Sequence, residues 1–165
     1  MTEDFIRLSL LIGVGATLIM DIWAFLQKRL LGIPSLDYAM VGRWIGYLPC
    51  CRFVHSPIGK SAPVFGEALI GWTAHYAIGV LFAGILLLIT GAGWAAEPTL
   101  LPALAMGVGT IVAPFFILQP GMGAGVAASR TPTPTIARFR SLVAHTSFGI
   151  GLYLAAFLVS WLKLA

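Results

Sequence analysis

The sequence predicts an all-α polytopic membrane protein. Four transmembrane helices form a pseudo-twofold pair of two-helix repeats, with a short interfacial segment between helices one and two. Three observations predict it. The 165-residue chain is 59% hydrophobic and only 10% charged, where an average soluble domain is about 25% charged. A soluble fold of this size exposes too much surface to hide that much apolar material. Four apolar runs are each long enough to cross the hydrocarbon, which takes about 20 helical residues at about 1.5 Å each. Eight of the ten Lys and Arg residues fall in alternate connections.

The first run is Phe5 to about Leu31, whose only charge between Leu8 and Gln27 is Asp21. It carries Gly13-Val14-Gly15 and ends at Lys28-Arg29. Residues 32–66 are the longest connection. It opens on Gly32-Ile33-Pro34, a stop signal. Tyr38, Val41, Trp44 and Ile45 fall at helical spacing, so Ser35 to about Leu48 reads as an amphipathic helix in the interface. Pro49, Pro57, Gly59 and Pro63 predict an irregular second half. The second run, Ala68–Ala96, holds no formal charge. The third is uncharged from Pro98 to Ser129; Pro114 should kink it, and Gln119-Pro120 should end the straight helix. The glycines from Gly121 to Gly125 are compatible with re-entrant backbone. The fourth run is Ser141–Leu162. The helices are therefore expected at about 5–29, 67–91, 99–119 and 139–163, with connections at about 32–66 and 120–138, in a single transmembrane domain spanning 1–165.

Charge sets the orientation. Lys28, Arg29, Arg43, Arg52, Lys60, Arg130, Arg138 and Arg140 belong to the connections after helices one and three, while Arg7 and Lys163 lie at the other side. The positive-inside rule places those connections in the cytoplasm and both termini in the periplasm of a bacterial inner membrane. The formal charge of +4 is small and scattered, so nucleic acid is not an expected partner and the lipid bilayer is. The opening Met-Thr-Glu-Asp-Phe has no basic n-region, so no cleaved signal peptide is expected.

The order glycine-rich helix, basic connection, His-containing helix occurs twice. Gly13-Val14-Gly15 recurs as Gly107-Val108-Gly109, Gln27 as Gln119, and Ala74-His75 with Gly79 as Ala144-His145 with Gly149. Such repeats share one orientation, with a pseudo-twofold axis along the bilayer normal. Asp21 has no carboxylate counterpart in helix three.

Asp21, His75 and His145 are the ionisable groups inside these runs. By helical rise they lie about 10, 12 and 8 Å inside the basic end of their helices. Glu67, Gly71, His75 and Gly79 share one helix face, as do Ser141, His145 and Gly149. A carboxylate in lipid costs several kcal/mol unless paired, so Asp21 should face inward, with an imidazole as its expected partner. Asp21, His75, His145, Glu67 and Gln119 are thus the candidate intramembrane polar positions, for a proton, a solute or helix packing. Two imidazoles and a carboxylate also suit Fe, Zn or Mn, which makes Asp21, His75 and His145 the candidates for a metal. There is no H-E-x-x-H or closely spaced ligand pair, and no cofactor is predicted. Cys50-Cys51 could serve a soft metal or redox sensing, or be two small interfacial residues. Gly121–Gly125 with Arg130 could present amides to an anion, or be a close-packed helix end. Trp72, Tyr76, Trp94 and Trp161 sit near run ends and read as interfacial anchors. Neither P-loop nor covalent-hydrolase motifs occur.

Gly42-Arg43-Trp44-Ile45-Gly46, Glu67 with Gly71-Trp72 and His75-Tyr76, and Pro98-Thr99-Leu100-Leu101-Pro102 form a distinctive set. So do Gln119-Pro120-Gly121-Met122-Gly123, Arg130-Thr131-Pro132, and His145 with Gly149-Ile150-Gly151-Leu152-Tyr153. Over nearly its whole length the chain resembles a family of small bacterial inner-membrane proteins, domain of unknown function 2938. The resemblance implies a bacterial four-helix membrane protein and carries no activity or ligand. The Cys50-Cys51 pair lies outside its pattern. Four helices enclose little space, so a pore or carrier would need a homo-oligomer. The functional expectation is a carrier or channel-like protein for a proton, ion or small solute, with Glu67 at its cytoplasmic mouth. The alternatives are a structural or assembly subunit whose Asp/His positions lock packing, and a metal-dependent membrane enzyme.

Overall fold

Hydrocarbon offers backbone N–H and C=O groups no partner, so an apolar run crossing it must satisfy them within itself as a helix. The computed structural model describes residues 2–164, which contain helices and no strand. Helix α1 is Thr2–Leu31, α2 Tyr38–Tyr47, α3 Glu67–Thr90, α4 Leu100–Gly121 and α5 Pro134–Trp161. All but α2 are long and apolar enough to cross a membrane, the arrangement of a multi-pass membrane protein.

The ends follow local chemistry. Glu3 and Asp4 lie in the first turn of α1 and Lys28 and Arg29 in its last, each sign matching the helix dipole. Gly32 then turns the chain at φ +67°, a conformation that costs glycine little. Helix α2 is shorter than the Ser35–Leu48 expectation because Asp37 caps it, accepting the Ala39 N–H at 2.9 Å. At the other end Leu48–Cys50 tightens into a 3₁₀ turn.

Pro114 does more than bend α4. A proline inside a helix lacks its N–H and crowds the carbonyl four residues back. Pro114–Leu118 relaxes into a π-helical turn, and Gln119–Gly121 returns to α geometry. Helix α5 begins at Pro134, ahead of the expected 139, because proline is tolerated in a first turn.

The chain divides into two compact units. The first contains residues 2–35, 76–110 and 143–164. Its core joins Ile12 and Ala16 of α1, Leu86 of α3, Ala103 of α4, and Leu152 and Ala156 of α5. Trp94, expected as an interfacial anchor, is buried in that core with its indole N–H on Thr99 Oγ1 at 3.2 Å. Glycines let backbones touch: a Cβ on Gly13 would lie 2.9 Å from the Gly79 carbonyl oxygen, and one on Gly107 would lie 2.7 Å from the His145 carbonyl oxygen. Close approach at small residues suits helices in lipid, where packing rather than hydrophobic transfer drives association. Outward, Leu81, Leu88, Leu101 and Phe157 are exposed, as lipid-facing residues are.

The second unit contains residues 36–75 and 111–142. Here α2 lies across the first turns of α3. The irregular segment after α2 runs beside the end of α4, with His55 N–H on Gly121 O at 2.9 Å and Ile58 N–H on Met122 O at 3.0 Å. The Trp44 indole N–H is donated to Phe53 O at 2.8 Å.

Candidate functional site

In the first unit, Asp21 and His145 each meet a hydroxyl. Tyr76 Oη donates to Asp21 Oδ2 at 3.0 Å. Tyr76 is therefore a carboxylate partner rather than an interfacial anchor. Both groups are half-buried. Thr110 Oγ1 lies 2.6 Å from Gly107 O and 2.7 Å from His145 Nδ1. A hydroxyl has one proton and a carbonyl can only accept. Thr110 must therefore donate to Gly107 O, which leaves its lone pair to accept from His145 Nδ1–H. With both contacts made, Nδ1 carries the proton of the neutral His145 ring.

In the second unit, His75 Nε2 lies 3.0 Å from Tyr38 Oη. The two rings stack with centroids 4.1 Å apart, and Trp72 lies 4.5 Å from Tyr38. In the neutral ring the phenol donates if Nε2 is bare and accepts if Nε2 carries the proton; a protonated His75 donates, so the bond persists in each case.

Glu67 is held on both oxygens. Arg43 Nε donates to Oε2 at 2.8 Å and Nη2 to Oε1 at 2.7 Å, the two-pronged match of guanidinium and carboxylate. Val64 N–H also donates to Oε2 at 2.9 Å, and Arg43 Nη1 donates to Ser61 O at 3.0 Å. Its hydrogen bonds to the Glu67 carboxylate raise the Arg43 pKa above its ordinary value against the cost of its burial. The pair joins α2, the 61–64 segment and the start of α3.

Two glycines make that junction possible. A Cβ on Gly42 would lie 2.6 Å from Gly71 N, and one on Gly71 would overlap Tyr38 O. With backbones this close, Tyr38 reaches His75 and Arg43 reaches Glu67.

Gln119 donates from Nε2 to Ser141 Oγ at 3.3 Å, while its Oε1 is buried without a hydrogen-bond partner. The third histidine, His55, is 3% exposed, with Nδ1 2.8 Å from Ser61 Oγ and a buried, unpartnered Nε2. Cys50 and Cys51 are exposed free thiols. Among the described residues no three His, Cys, Asp or Glu side chains form a group that could hold a metal.

Sequence reasoning missed Tyr38, Tyr76 and Thr110 as partners, the Arg43–Glu67 pairing and the burial of His55. One signal was available for Arg43 and Glu67: a cation and a carboxylate beside Gly42 and Gly71, where close packing forces charges to pair. None marked the hydroxyls, because Tyr and Thr are ordinary residues at such positions.

A model of the family described as protein of unknown function, DUF2938, matches residues 10–159. No curated protein and no solved structure matches the chain.

Proposed function

The chain belongs to the DUF2938 family, and within it we propose that this protein is a carrier or channel-like protein for a proton, ion or small solute. One observation carries the proposal: Asp21, His75 and His145, titratable residues within apolar spans, are each held by a hydroxyl at 3.0 Å or closer. A hydroxyl both gives and takes a hydrogen bond. Tyr76 can donate to Asp21 whether or not the acid is protonated. The Tyr38–His75 bond persists on protonation from either neutral tautomer, and the Nδ1–H bond of His145 to Thr110 persists when the ring gains a second proton. Each of these hydroxyl bonds therefore survives a change of charge, where the loss of a buried partner would cost about 1–3 kcal/mol.

The setting we propose is a bacterial inner membrane, with both termini periplasmic and the basic connections cytoplasmic. The working form would be a homo-oligomer. An internal duplication is supported by the matching roles of Gly13 against Gly79 and Gly107 against Gly149.

A second reading, a structural or assembly subunit, is favoured by Glu67. Held on both oxygens, it serves as a clamp rather than as an open charge at a mouth.

The test is proton flux into proteoliposomes under a pH gradient, read with an enclosed pH-sensitive dye. The wild type should exceed empty liposomes. Asp21→Asn and His145→Asn should each reduce the excess about tenfold or more, the loss expected of a removed proton-transfer group. If both variants match the wild-type flux while melting at lower temperature, the carrier reading fails and the structural one stands.

A further inference from the structure

Arg130 lies in the connection between α4 and α5, Arg138 and Arg140 lie in the first turns of α5, and from Pro98 onward the sequence has no Asp or Glu. Among the described residues none of these three arginines forms an ion pair. All three are exposed.

Two of them are fixed to one turn. Arg130 N–H is donated to Ala124 O at 2.8 Å, and Arg138 Nε to Ala127 O at 2.8 Å. The turn is closed further by Ser129 N–H on Val126 O at 3.0 Å and Thr131 Oγ1 on Ala128 O at 2.8 Å. Anchoring Arg138 through Nε leaves its two terminal nitrogens as donors for something outside the protein. The surface around these cations is apolar: Val126 is 50% exposed, Ile136 49% and Phe139 64%.

A turn that presents unneutralised guanidinium groups beside exposed apolar side chains matches one kind of molecule: a phosphodiester with hydrocarbon attached. We propose that the Ala124–Arg140 segment binds the headgroup of an anionic phospholipid. Arg130 and Arg138 would hold the phosphate in the forked geometry guanidinium favours. Val126, Ile136 and Phe139 would lie against the upper acyl chains, and Arg140 would add to the local positive field. A soluble anion would gain nothing from the apolar residues. The charge complementarity also accounts for cations concentrated where the sequence supplies no carboxylate.

The test uses the full chain in a mild neutral detergent, with phosphatidylglycerol or phosphatidylcholine titrated in and bound lipid counted by native mass spectrometry. The wild type should retain phosphatidylglycerol at least tenfold better than phosphatidylcholine. Arg130→Gln should weaken that retention about fivefold, and Arg130→Gln with Arg138→Gln about 25-fold, given the usual worth of an interfacial cation. Arg7→Gln, at the other end of α1, should not change it. Arg130→Gln is the informative single change, because among the described residues the Arg130 side chain makes no hydrogen bond and its removal should leave melting unaltered. Equal retention of the two lipids, unaltered retention in Arg130→Gln, or equal protection against heat by inorganic phosphate at matched concentration would overturn the proposal.

Discussion

The sharpest test of the fold is Gly71→Ala, where α2 crosses α3. A Cβ there would overlap the Tyr38 carbonyl oxygen, and would lie 2.7 Å from the Tyr38 carbonyl carbon and 3.0 Å from Gly42 N. These are backbone atoms, with no rotamer by which to escape. The helices must part, and overpacking of this kind costs about 1–3 kcal/mol. Parting them also stretches the 3.0 Å Tyr38–His75 bond, a loss of about 1 kcal/mol. Replacing glycine by alanine within a helix returns about 1 kcal/mol. The net loss of about 1–3 kcal/mol lowers the melting temperature by about 2–12 °C, taking about 2–4 °C per kcal/mol for a chain of this length. Thermal unfolding in detergent, followed by tryptophan fluorescence, reads it directly. Gly42→Ala should behave alike, and the double variant should lose less than the sum of the two, since separation caused by one methyl makes room for the other. Gly109→Ala is the control: nothing lies within 4 Å of its Cβ position, so its melting temperature should hold or rise. A Gly71→Ala protein that melts with the wild type, or a Gly109→Ala protein that falls as far, refutes the close crossing.

Two further predictions concern the polar partners. Thr110→Val leaves His145 Nδ1 without its partner and should cost about 1–3 kcal/mol in a denaturant titration, whereas Thr110→Ser should stay near wild type; equal stability of the two would sink the Thr110–His145 hydrogen bond. Arg43→Lys should lower the melting temperature as Arg43→Ala does, because an ammonium cannot engage both Glu67 oxygens. Replacing the pair together, as Arg43→Met with Glu67→Leu, should recover part of the loss, since no carboxylate is then left uncompensated. A wild-type melt for Arg43→Lys would show that the forked geometry does not hold α2 on α3.

The candidate site was legible in its ionisable members and not in their surroundings. Asp21, His75 and His145 stand out because each is alone in an apolar run, and a lone charge in such a run costs energy wherever the helix lies. Their hydroxyl partners are remote in sequence: Tyr76 is 55 residues from Asp21, Tyr38 is 37 from His75, and Thr110 is 35 from His145. Tyr76 adjoins His75, but successive residues point to different sides of a helix. Helical spacing therefore gave no reason to connect Tyr76 with Asp21. Glu67 was seen as a charge near a helix start. Its role as a clamp depends on Arg43, 24 residues away across two glycines.

Composition and apolar run length were enough to determine an all-helical chain with four potential membrane spans, because a continuous apolar run of about 20 residues can satisfy its backbone in hydrocarbon only as a helix. The same local logic placed a short helix after Gly32-Ile33-Pro34 and an irregular segment among the prolines that follow. Only the tertiary structure decided that Pro114 is absorbed in a π turn, that Trp94 is core rather than interface, and that each titratable residue meets a hydroxyl. These depend on which helix faces meet, and an apolar run that is hydrophobic all round does not encode that choice in its periodicity. In lipid the choice rests on close backbone approach at a few glycines, and a glycine in sequence does not name its partner.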